Sequence, residues 1–84
     1  MKVEIRDVIR SYDFKPMVGR EDCFVEGEVL AITDEQGYHA YKIVVTKDSW
    51  SDAEDKGRVG ETVYVPMSVS FSEYAGRIMN LSRI

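Results

Sequence analysis

Residues 23–46 constrain this chain most, because they read as one long β-hairpin to which every other segment must be added. The first arm is Cys23-Phe24-Val25-Glu26-Gly27-Glu28-Val29-Leu30-Ala31-Ile32-Thr33, and the second is Tyr38-His39-Ala40-Tyr41-Lys42-Ile43-Val44-Val45-Thr46. Asp34-Glu35-Gln36-Gly37 separates them, a connection of the length and composition that hairpins use. Gly37 supplies a positive-φ position, and Asp34 can hydrogen-bond the backbone ahead of it. On the second arm, alternation predicts that Tyr41, Ile43 and Val45 face the core. On the first arm, Val25, Gly27 and Val29 share one phase and Leu30 and Ile32 take the other. That change of phase predicts a bend or bulge, and Gly27 marks a place where the strand can curl or another backbone can come close.

The 84 residues suit one domain spanning 1–84, with a modest core. No apolar run approaches the roughly 20 residues that cross a bilayer, and the start of the chain alternates charge with apolar residues and lacks a signal-peptide core. The cytoplasm is therefore the expected location, with no membrane association. Cys23 is the single cysteine and His39 the single histidine. An intrachain disulfide is excluded, and a zinc cage would need carboxylates or a second chain. A lone cysteine beside Phe24 reads as a small buried hydrophobe.

Along the chain, Val3, Ile5, Val8, Arg10, Tyr12 and Phe14 fit a first strand with one phase slip, although Ile5, Val8, Ile9 and Tyr12 also fit a helical face. The abundance of β-branched and aromatic residues, and Pro16 after them, favour the strand. Residues 15–22 form a Pro- and Gly-punctuated loop. Residues 47–61 are polar and acidic. The spacing of Ser51 and Glu54 fits a capping box, so a helical turn ending at Gly57 is expected. Calcium-loop registers fail there: one begun at Asp48 puts Trp50 at a ligand position, and one begun at Asp52 closes on Val63. Thr62–Val69 reads as a fourth strand with Val63, Val65 and Met67 in phase, and Pro66 confines it to an edge or an end. Ser70 to Glu73 is a second capping-box spacing closed by Gly76, and residues 77–84 read as a last strand. Five short strands in this order predict a mainly β fold, a small five-stranded SH3-like barrel, with an OB-like barrel as the alternative. The OB alternative wants a longer helix between strands three and four than residues 47–61 can supply.

Ser11-Tyr12-Asp13-Phe14, followed by Gly19-Arg20-Glu21-Asp22-Cys23-Phe24-Val25-Glu26-Gly27-Glu28-Val29, resembles a block in small uncharacterised proteins encoded by tailed bacteriophages. The similarity runs on through the hairpin and the strand at Val63–Pro66, over about two-thirds of the chain, and the Ser70–Gly76 segment departs from it. It implies a phage source, and so a host cytoplasm as the working location, but no activity.

No Gly-rich phosphate loop, nucleophile elbow or metal-ligand spacing is present, so no enzymatic chemistry and no cofactor are expected. The chain carries nine aromatics, counted as one Trp, five Tyr and three Phe. Tyr12, Phe14, Trp50, Tyr64, Phe71 and Tyr74 fall near strand ends or loops. The expected function is protein binding, with Trp50 between Asp48 and Asp52 as an aromatic face beside carboxylates, suited to a basic partner, and with Tyr12, Phe14 and Tyr64 adding to it. The second reading is single-stranded nucleic-acid binding through Arg10, Lys15 and Arg20, with Arg6, Arg77 and Arg83 as further cations. The net charge of −4 works mildly against it. Mimicry of DNA would need denser carboxylates. Self-association through an uncovered edge strand is a further expectation.

Overall fold

The computed structural model describes residues 2–12, 23–49, 54–67 and 78–83. The loop at 15–22 and the turn at Ser70–Gly76 lie outside these residues. Five strands are present: β1 (Val8–Tyr12), β2 (Phe24–Thr33), β3 (Ala40–Asp48), β4 (Thr62–Pro66) and β5 (Ile78–Asn80). They form one antiparallel sheet in the order β4-β3-β2-β1-β5. The expected mainly β chain of five strands is therefore observed. The sheet is not closed into a barrel: β4 and β5 stand at its two ends, and no pairing joins them among the described residues.

The β2–β3 hairpin forms the spine. Its connection is longer than expected, because β3 begins at Ala40, so Tyr38 and His39 belong to the exposed loop. Gly37 takes φ 87° and its amide donates to the Asp34 carbonyl at 2.9 Å. The side-chain bond in this turn comes from Thr33 instead of Asp34, its hydroxyl accepting from the Glu35 amide at 3.1 Å.

The pairing of β2 with β3 slips twice. Glu26 faces Lys47 while Gly27 faces Val45, which leaves Thr46 as an extra residue on β3. Val29 faces Ile43 while Ala31 faces Lys42, which leaves Leu30 extra on β2, where the change of hydrophobic phase predicts a bulge. The extra residue on β3 exchanges the faces of the strand beyond it, whereas on β2 the alternation of burial runs on past Leu30 and leaves Leu30 and Ile32 exposed. On β3, Tyr41, Ile43 and Val45 are buried, and beyond the bulge it is Asp48 that turns inward. Gly27 is where the two backbones approach. A Cβ placed there would lie 2.3 Å from the Val44 carbonyl oxygen.

The core consists of Val3, Ile9, Val25, Val29, Tyr41, Ile43, Val45, Val65 and Ile78, with Val59, Val63 and Met67 packed against it. On β1 the buried face is Ile9 and Ser11, while Val8, Arg10 and Tyr12 lie half-buried on the other side. The expected phase slip before β1 is a turn. Arg6 adopts φ 80°, the Asp7 amide donates to the Glu4 carbonyl, and the Glu4 amide donates to Asp7 Oδ2. At this turn the backbone still pairs with β2, through Arg6 N to Val29 O at 2.7 Å and Val29 N to Asp7 O at 2.8 Å.

The last strand is shorter than expected, because residues Leu81–Arg83 wind into a single 3-10 turn. Polar side chains hold this end against the start of the chain. Buried Asn80 donates from Nδ2 to the Lys2 carbonyl and to Asp7 Oδ2, and its Oδ1 accepts from the Ser82 amide. Arg83 Nε donates to Asp7 Oδ2 at 2.7 Å, and the same guanidinium pairs with Glu4. The Arg83 and Asn80 hydrogen bonds, with the Glu4 amide, hold the Asp7 pKa at about 2 against an ordinary 3.8.

Gly27→Ala forces the β2–β3 backbones apart and should cost about 1–3 kcal/mol or more in a urea unfolding titration. Asp7 is a depressed carboxylate, so its stabilisation is complete above pH 3.8 and disappears as the pH falls through about 2. Thermal midpoints measured from pH 5 to pH 2 should therefore fall more steeply for the native chain than for Asp7→Asn.

Candidate binding face

The outer face of the sheet carries a built cluster where β1, β2 and β3 run side by side. Register sets it: Arg10 lies opposite Glu26, Tyr12 opposite Phe24, and Glu26 opposite Lys47. Directly opposite side chains on one face of a sheet stand close enough to touch. Arg10 Nε donates to Glu26 Oε2 at 2.7 Å, and its Nη2 lies 2.6 Å from the same oxygen. Nη1 donates to the Tyr12 hydroxyl over a longer 3.3 Å. The guanidinium carbon sits 4.4 Å from the centre of the Phe24 ring, and Lys47 Nζ sits 5.8 Å from the same centre. Tyr12 meets Phe24 edge to face at 5.6 Å. The Tyr12 and Glu26 hydrogen bonds push the Arg10 pKa above its ordinary value, so its charge is fixed.

The backbone that holds Phe24 is closed by Ser49. The Ser49 amide donates to the Phe24 carbonyl at 3.0 Å, and the Phe24 amide donates to Ser49 Oγ at 2.8 Å. Across the Thr46 bulge, Asp48 points to the opposite side. Its Oδ2 accepts from the Arg58 amide at 2.9 Å and from Arg58 Nε at 2.8 Å, and its Oδ1 accepts from Nη2 at 3.2 Å. Only 1% of the Asp48 side chain is exposed. This fork pins residues 57–60 against the sheet, where Gly57 has φ 59° and a Cβ would meet Asp48 Oδ2 at 2.8 Å.

Of the residues expected to bind a partner, Tyr12 is in the cluster. Asp48 is not a surface acid: it is buried and committed to Arg58, so it offers no carboxylate to a basic partner. Tyr64 is half-buried at the other end of the sheet, donating to Glu35 Oε1 at 2.7 Å and lying under Lys42 Nζ at 5.8 Å. It pairs with Lys42, six residues along β3 from Asp48, or about 20 Å of strand. Tyr12 and Tyr64 thus do not share one patch. Arg10, expected to contact nucleic acid, is in the cluster but neutralised by Glu26. Trp50, Asp52, Phe14, Lys15 and Arg20 lie outside the described residues, as do residues 51–53 of the expected helical turn, whose described remainder at 54–57 is not helical.

Sequence reasoning missed Phe24, Glu26, Lys47 and Arg58. Phe24 and Glu26 were open to it, since they alternate with core-facing Val25 and Gly27 and so share the outer face. Lys47 joins them only because Thr46 is bulged, and nothing in the spacing marks Arg58 as the partner of Asp48. Among the described residues no group of three or more His, Cys, Asp or Glu could hold a metal ion, and no helix is long and apolar enough to cross a membrane. No protein-family model, curated protein or solved structure matches the chain.

Replacing Arg58 by Met strips the guanidinium from the buried Asp48 carboxylate. Stability measured by chemical unfolding should fall by about 1–3 kcal/mol.

Proposed function

We propose that this chain is a non-enzymatic binding module that grips another protein through the Arg10–Tyr12–Phe24–Lys47 face. The observation that carries the reading is the pre-built state of that cluster. Tyr and Arg are among the side chains that dominate protein interfaces, and they bind best when little freedom is left to lose. Here Arg10 is stacked on Phe24 and braced by Glu26 and Tyr12 while 27% of its side chain stays open to solvent. The lone histidine is exposed in the hairpin loop and the lone cysteine is buried at the hairpin's other end, a separation that favours binding over nucleophilic catalysis.

The architecture we propose is SH3-like. Its support is the strand order: β1 to β4 meander, and β5 returns beside β1. The lack of a helix in the described part of the β3–β4 connection weighs against the OB-like alternative. A phage origin and a working place in the host cytoplasm belong to the same proposal and rest on the sequence resemblance. Single-stranded nucleic-acid binding is the second reading, favoured by Tyr12, Phe24 and two cations on one face.

The test is affinity capture by the tagged protein from bacterial lysate, with and without nuclease, beside a Phe24→Ala variant checked for folding by its melting curve. A stoichiometric protein band that survives nuclease and weakens at least about tenfold with the variant supports the proposal. A band unchanged by Phe24→Ala places binding elsewhere on the molecule. Captured material that nuclease removes favours the nucleic-acid reading.

A further inference from the structure

Resting on that binding reading, we infer that the face is a clamp for a carboxylate of an acidic peptide segment, held between Arg10 and Tyr12. Glu26 occupies one edge of the Arg10 guanidinium, the Nε and Nη2 side, through a single oxygen. The end of the fork, between Nη1 and Nη2, meets only the Tyr12 hydroxyl among the described residues, at the weak distance of 3.3 Å. In that contact Tyr12 accepts, so its own O–H remains to be donated. An incoming carboxylate therefore finds two kinds of donor side by side, a guanidinium N–H and a phenolic O–H, and both bonds are of the charge-assisted kind. Lys47 adds a second cation over the same ring. With Glu26 counted against Arg10 and Lys47, the cluster keeps one net positive charge for its ligand.

Charge decides between the two polyanions that could present such an oxygen. The whole chain carries −4, which opposes a nucleic-acid strand whose affinity comes from neutralising many phosphates. A single carboxylate on a peptide draws mainly on the local charge, because at physiological salt acids beyond about 8 Å are largely screened; of the nearer acids, Glu28 lies two residues along the same face of β2, beside Val8 and away from the Tyr12 end of the cluster. The expected partner chemistry is thus reversed from basic to acidic, because Asp48 is buried and Lys47 is brought to the surface.

Selection of a random dodecapeptide display library on the intact protein tests the clamp, with Arg10→Lys and Tyr12→Phe as comparisons. Arg10→Lys keeps the charge and loses the fork, and Tyr12→Phe keeps the ring and loses the hydroxyl. The expected result is enrichment of Asp- and Glu-bearing peptides whose synthetic copies bind at least tenfold more weakly to Arg10→Lys and several-fold more weakly to Tyr12→Phe. Enriched peptides without acidic residues, or acidic ones that bind both variants as tightly as the native chain, overturn the clamp and leave the binding-module reading standing. No enrichment together with salt-sensitive binding of an oligo-dT probe overturns both. No enrichment and no oligo-dT binding overturns the clamp and counts against peptide recognition altogether.

Discussion

The close approach of Gly27 to the Val44 carbonyl is the contact on which the rest of this structure depends. With a Cβ at residue 27 the distance to that oxygen would be 2.3 Å, and the β3 backbone could not pass where it does. The approach accompanies a bulge at Thr46, whose hydroxyl bonds the Glu26 carbonyl at 3.3 Å. One unpaired residue exchanges the two faces of everything beyond it. Without it Lys47 would point into the core and Asp48 into solvent. With it, Lys47 joins Phe24 and Glu26 outside, and Asp48 finds Arg58 inside. The proposed binding face and the buried ion pair are two consequences of the same backbone irregularity.

The acids of this chain show how little a charge count says about what each charge does. Asp48 is a buried anchor whose pair with Arg58 fixes a loop. Asp7 is partly covered and ties the first turn to the last, with Arg83 and Asn80 holding its proton off. Glu26 braces a cation on an aromatic ring. An acidic composition is compatible with a locally cationic face because several carboxylates are already committed to partners within the fold. Surface charge is decided by which of them are spent.

Legibility divides along the same line. The hairpin, its Gly37 turn, the inward Tyr41-Ile43-Val45 row and the break of phase at Leu30 can all be read from the sequence, because period-two alternation and turn chemistry are local properties of the chain. The expected closed barrel is not found among the described strands, since closure depends on how the two edge strands meet and no local pattern encodes that. Tyr38 and His39 read as strand because alternation continues past the place where pairing with β2 ends. Asp48 reads as a surface acid because its neighbours Trp50 and Asp52 make it look like one of an exposed cluster. The Thr46 bulge that turns it inward leaves no mark in the hydrophobic pattern, as it falls where β3 has already become polar.

A sheet face suits binding when its side chains are held in place before a ligand arrives, and on the proposed face register is what holds them. Arg10, Glu26 and Lys47 stand in one row across three strands, with Tyr12 and Phe24 in the next. Each is limited by a neighbour: the guanidinium by a ring and a carboxylate, the ring by a second ring and by Ser49 bonds to its backbone. The ordering entropy of a long arginine is thus met largely during folding, and a partner has less of it left to supply. Glu26 has a double role, since it steadies Arg10 while cancelling its net charge. A ligand is left with directional hydrogen bonding and one surplus positive charge, a combination that selects for geometry ahead of total charge. In the proposed clamp that disfavours a long polyanion on an acidic protein and favours a single well-placed acceptor on a peptide.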